Sequence, residues 1–210
     1  MATITRRESI AMLGMAPVAT TALSLGDERP VAKGKPSRDL IRDRYFPNVE
    51  LVTHEGKKVR FYDDLIKDKI VVINFMYANC EGICPGVTAN LLKVQKALGG
   101  RVGKDIFMYS ITLKPEQDTP AALKEYAEMH GVRPGWLFLT GKPGDVELLR
   151  RKLGFVDSDP EVDKDKSQHI GNVRYGNEPL QQWGGCPGQG SASWIVKLIS
   201  GVDWPRDVPR

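Results

Sequence analysis

The sequence predicts an α/β fold with a central mixed β-sheet flanked by helices. Three observations lead there. Ile70–Phe75 is a run of apolar, β-favouring residues long enough for one fully buried strand. It leads into two cysteines, Cys80 and Cys84, followed at once by Pro85. Proline suits the start of a helix because the N–H it lacks would be unpaired there. Strand-like and helix-like stretches then alternate along the chain, with crossovers long enough to hold a helix, so the sheet is parallel or mixed and covered on both faces. A thiol-bearing loop between an early core strand and a helix makes the architecture thioredoxin-like.

Taken in order, residues 1–26 read as an address. Arg6 and Arg7 precede an apolar stretch, Ile10–Leu25, and the pattern resembles a twin-arginine export signal. The stretch is shorter than the ~20 residues that span a bilayer. Membrane contact is therefore expected only through an uncleaved signal, and the protein is expected to be exported, to the periplasm or the outer face of the cytoplasmic membrane. Residues 27–45 are polar and basic, with Pro30, Gly34 and Pro36, and read as a linker. Residues 46–204 form the thioredoxin-like domain, and 205–210 a tail.

The domain opens with an N-terminal β-hairpin. Val49–Val52 and Val59–Tyr62 alternate in polarity around a turn containing Gly56. His54, at that turn, reads as a solvated residue. After the cysteine loop, Val87, Leu91, Val94 and Leu98 mark an amphipathic helix that stops at Gly99-Gly100. Ile106–Leu113 is a second buried strand. Asp118-Thr119-Pro120 starts a helix that ends near Gly131, with His130 on its last turn in a structural role. Trp136–Thr140 is a strand and Gly144–Leu153 a helix. Asp157–Lys166 is dense in acids without a calcium-loop pattern, and reads as a solvated loop. His169–Tyr175 is a strand with its histidine at the entry. A glycine-rich excursion, Gly184–Gly190, carries the third cysteine, Cys186, before a serine-capped helix over Ser191–Ser200.

Bulk composition narrows the function. With 210 residues, 41% hydrophobic and 27% charged, the chain is an ordinary globular protein. A net charge of +4 spread over that length gives no footprint for nucleic acid. Three cysteines are too few for a disulfide framework or a zinc ribbon.

The paired cysteines leave three readings. A helix N-terminus favours the thiolate, which both exchanges disulfides and binds soft metals. The spacing lets the sulfurs meet as a dithiol–disulfide couple. Two thiolates can also share copper(I) with a third ligand. The remaining reading is a pair of buried structural cysteines.

Further residues carry a resemblance. Asn74-Phe75-Met76-Tyr77-Ala78-Asn79-Cys80-Glu81-Gly82-Ile83-Cys84-Pro85 resembles the N-F-x-Y-x-x-C-x-x-x-C-P pattern of the SCO/SenC family. Ser110–Pro120 is similar to that family's S-x-D-P-x-x-D-T-P stretch, and Gln168-His169-Ile170 to its Asp-His-Thr. The family comprises exported thioredoxin-fold factors for assembling the copper A centre of cytochrome c oxidase. The resemblance implies a copper site, Cu(I) or Cu(II), on Cys80, Cys84 and His169. It implies a copper metallochaperone rather than an enzyme, with a cytochrome c oxidase subunit or another cuproprotein as partner. A thiol–disulfide oxidoreductase that reduces a cuproprotein's cysteines through Cys80 and Cys84 is the alternative. Departures are Gln168 for the acid before the histidine, Lys114 for an acid in the second motif, and the segment around Cys186, where the family's strand–turn–strand ending is expected to be replaced.

Overall fold

The structure, a computed structural model, describes residues 35–165 and 171–203. The segment expected to be an export signal, the expected tail and His169 lie outside the described residues.

The chain runs α1 (Ser37–Tyr45), β1 (Glu50–Thr53), β2 (Lys58–Arg60), β3 (Ile70–Met76), α2 (Ile83–Leu98), β4 (Ile106–Thr112) and α3 (Pro120–Met129). It continues through β5 (Trp136–Gly141), α4 (Pro143–Lys152), α5 (Pro160–Lys164), β6 (Asn172–Asn177), β7 (Gln182–Pro187) and α6 (Ala192–Gly201). The strands form one sheet in the order β2-β1-β5-β4-β3-β6-β7. β3, β4 and β5 are parallel; β1, β2, β6 and β7 join antiparallel. The mixed sheet flanked by helices is the expected architecture.

β3 lies between β4 and β6, and all seven of its residues are buried. This explains why it reads as an unbroken apolar run rather than an alternating one. Its polar member, Asn74, is 3% exposed and accepts a 2.7 Å hydrogen bond from Ser110 Oγ, which itself accepts from the Trp136 indole at 2.9 Å. One rung of the sheet passes from Ser110 through Asn74 and Val173 to Cys186.

The expected hairpin is present, with Leu51 opposite Val59. Its second strand is shorter than the alternation suggests, because Phe61 and Tyr62 enter a helical turn, Phe61–Ile66. Asn48 Oδ1 accepts from the N–H groups of Tyr62 and Asp63, and Asp64 from that of Arg60, so side chains satisfy the donors a continued strand would pair.

Three other segments depart from expectation. Ser37–Tyr45, inside the expected linker, is helical although none of its residues is fully buried. It is held by Arg38, which donates to Glu178 in the turn between β6 and β7. The acidic stretch is not simply a solvated loop. Asp159 caps the short α5, and Asp163 receives two bonds, 2.6 and 2.7 Å, from the buried guanidinium of Arg150. The glycine-rich excursion is largely strand β7, so the strand–turn–strand ending expected to be replaced is present. Gly184 and Gly185 belong there because a Cβ would sit 2.5 Å from the Tyr175 ring and 2.8 Å from Arg174 Nη1 on the neighbouring strand. Cys186, placed by the sequence in that excursion, sits on this strand and is 4% exposed.

Candidate functional site

β3 delivers the chain to a loop over residues 77–82, and α2 opens with Cys84 in its first turn. Gly82 caps this helix without a side chain, which leaves the first N–H groups open to another acceptor. Cys80 takes them. Burial is the largest influence on its thiol and would raise the pKa. It is outweighed by donation from the Cys84 thiol, the Cys84 N–H, the Tyr77 hydroxyl and the Gly82 N–H, so Cys80 is held below the ordinary thiol range.

Cys84 behaves oppositely. It is deeper, 2% exposed against 6% for Cys80. Burial pushes its thiol well up, and donating a hydrogen bond to the Cys80 sulfur pushes it further. A helix N-terminus was expected to activate both thiols; it activates the one whose sulfur lies beyond the helix end. Tyr77 pays for no burial of its own charge, because its hydrogen bond to Cys80 and its burial raise it to about 12 and keep it a donor.

Asp118 fixes the loop. This buried carboxylate accepts from Thr112 Oγ1 at 2.5 Å and from the Ala78 N–H at 3.1 Å, tying the end of β4 to the approach to Cys80. Lys114 lies with Nζ 4.0 Å from the Tyr77 ring centroid. Beneath the site, Thr88 on α2 and Tyr126 on α3 share a buried 2.9 Å hydrogen bond.

The structure therefore brings Cys80 and Cys84 together as hydrogen-bonded thiols. Among the described residues, no three His, Cys, Asp or Glu side chains converge as a metal site. Two described residues flank the segment that holds His169. Gly171 lies against α2, where a Cβ would be 2.4 Å from Ile83 Cδ1 and 3.3 Å from Val87 Cγ2. Asp165 is near enough to contribute to the raised Tyr77 pKa. His54 Nδ1 accepts from the Phe138 N–H at 3.1 Å, and the His130 ring packs 4.3 Å from that of Tyr126, both structural roles. Sequence reasoning missed Tyr77 and Asp118 as site-shaping groups. Within the helix start read at Asp118-Thr119-Pro120, Thr119 makes the cap, while Asp118 turns to the loop before Cys80.

The SCO1/SenC family model matches residues 41–174, more than half of the 210 residues. The chain belongs to the SCO1/SenC family. A relative, the SCO1 protein homolog of Bacillus subtilis, is 34% identical over 88 residues, 41% of this SCO1/SenC chain and 44% of that protein. The chain spans about half the length of the curated relatives it matches. Yeast Sco1, solved with copper bound, superimposes with a TM-score of 0.57 at 24% identity over 76% of this chain and 92% of that one. BsSco, described as having a disulfide switch and as one of the Sco family of cytochrome c oxidase assembly proteins, gives a TM-score of 0.59 at 23% identity, covering 73% and 90%. These structural likenesses establish the thioredoxin-like fold of the family.

Proposed function

We propose that this SCO1/SenC chain is a metallochaperone that carries copper as cargo on Cys80, Cys84 and His169. It passes the ion by ligand exchange to an exported cuproprotein, the copper A subunit of cytochrome c oxidase being the expected receiver. The observation that carries this reading is the pair of adjoining thiols at the start of α2, one of them poised toward thiolate. Two soft sulfurs and one imidazole suit three-coordinate copper(I) and tolerate copper(II), whereas zinc favours four ligands. The placement of Gly171 supports His169 as the third donor. Residues 1–26 act as the export signal and put the domain on the periplasmic side or at the outer face of the cytoplasmic membrane.

An anaerobic copper(I) titration with X-ray absorption tests the site. One copper per chain, with two sulfur ligands and one nitrogen, is expected. His169→Ala is expected to weaken binding by at least about tenfold, since a three-coordinate site loses a ligand. Unchanged affinity in that variant would remove His169 from the site.

The asymmetry of the thiols favours one further reading, a thiol–disulfide oxidoreductase. Cys80 would attack a partner's disulfide and Cys84 would resolve the mixed disulfide. Two electrons pass to the partner's sulfurs as the Cys80–Cys84 bond forms. His169→Ala leaves this dithiol's reduction potential unchanged, so the same variant separates the two readings.

A further inference from the structure

A cavity of about 320 Å³ lies between α1, the end of α4 and the β6–β7 edge. Neither cysteine of the α2 site lines it. Its walls are mainly apolar, with Ile41 from α1, Phe46, Leu153 and Trp183 among them. The Phe46 and Trp183 rings stand 4.5 Å apart between centroids. Two cations, Arg174 and Lys152, also line it, and no acidic side chain does.

The polar groups at this cavity are left incompletely used. Arg174 donates through Nε to the Leu153 carbonyl at 3.0 Å, and neither it nor Lys152 has a carboxylate partner among the described residues. The nearest acids in sequence on α1 are already engaged, Asp39 by Arg42 and Asp43 by Lys35 and Arg42. The Trp183 indole N–H is the one buried side-chain donor without an acceptor among the described residues. A guanidinium that keeps its terminal N–H groups clear of any carboxylate among the described residues, beside apolar walls, matches a planar carboxylate. An apolar pocket with a few convergent polar groups is the usual form of a small-molecule site.

We infer that this cavity binds a small amphiphile bearing one carboxylate, with its apolar body against Phe46 and Trp183 and its carboxylate on Arg174 and Lys152. At about 30 Å³ per water-sized group, the volume holds roughly ten non-hydrogen atoms. That selects a short-chain acid over a peptide segment. The inference is independent of copper binding.

Octanoate is the matching probe, with 1-octanol as its uncharged counterpart, titrated calorimetrically into the full chain below the micellar range. One octanoate per chain is expected, bound about tenfold or more tightly than octanol, with a shift of the Trp183 indole resonance. Arg174→Gln should bring octanoate down to the level of octanol. Lys152→Gln removes an exposed cation without touching the Leu153 contact, and should weaken octanoate severalfold while leaving octanol unchanged. Ile41→Trp, which fills the cavity from α1, should abolish both. Absence of saturable binding, equal binding of the two probes, or octanoate binding untouched by both Lys152→Gln and Ile41→Trp would overturn the inference. Copper titration of the same variants is read separately, so either reading can fail without the other.

Discussion

At the scale of single residues, Asp118 shows how a site is shaped by a group that never touches the reacting atoms. Its carboxylate joins Thr112 and the Ala78 N–H across the gap between two strands. Asp118→Ala leaves a buried hydroxyl and a partly buried N–H without their acceptor. Each costs about 1–3 kcal/mol. A loss of about 2–4 kcal/mol in denaturant unfolding is expected, with weaker copper retention, and Asp118→Asn should recover most of both. An Asp118→Ala unfolding midpoint equal to the wild type would contradict this role. The same scale explains the thiols. Cys80 and Cys84 are equal in the sequence but unequal in the fold, because one sulfur receives the helix-end N–H groups and the other donates.

At the scale of elements, α1 is the informative case. A helix without a fully buried residue gains little from the hydrophobic effect, so its attachment depends on the Arg38–Glu178 contact. Glu178 also accepts from Tyr62 Oη at 2.8 Å and from the Asp68 N–H at 2.9 Å. Burial opposes ionisation of Glu178, but these donors outweigh it and place its folded pKa below the ordinary 4.5. A depressed carboxylate contributes stability above its unfolded value and loses it as pH falls through the folded one. Glu178→Gln is therefore expected to cost about 1–3 kcal/mol near neutral pH. Its deficit should shrink as the pH drops below 4.5, as followed by denaturant melts across pH. A deficit constant with pH would show that the charge is not what matters. Amide exchange in α1 should quicken in the same variant.

At the scale of the whole molecule, the sheet order decides which cysteines can work together. Cys186 sits on the rung of Val173 and Asn74, two strand spacings, or roughly 10 Å, from Asn74. Burial raises its thiol, as it does that of Cys84, but Cys186 lies on β7 and not in the first turn of α2, where Cys84 meets Cys80. Cys186→Ser is expected to leave copper stoichiometry and affinity unchanged while costing about 1–2 kcal/mol through a hydroxyl placed in an apolar setting. A third sulfur in the absorption spectrum of wild type, lost in Cys186→Ser, would reverse this assignment.

Much of the fold was legible in the chain because its signals are local. The apolar run of β3, the cysteine spacing, the Thr119 and Ser191 caps and the periodicity of α2 each report on a few neighbouring residues. These by themselves determined an α/β chain with two thiols set between a core strand and a helix. What escaped were the features whose partners are distant. Arg38 meets Glu178 across 140 residues, and Asp118 meets Ala78 across 40. β7 reads as loop because its glycines answer to Tyr175 and Arg174 on another strand rather than to their own neighbours. Only the tertiary structure decided which thiol is activated, where Cys186 lies and how α1 is held. Burial and hydrogen-bond donors set those properties, and both are created when remote segments pack together.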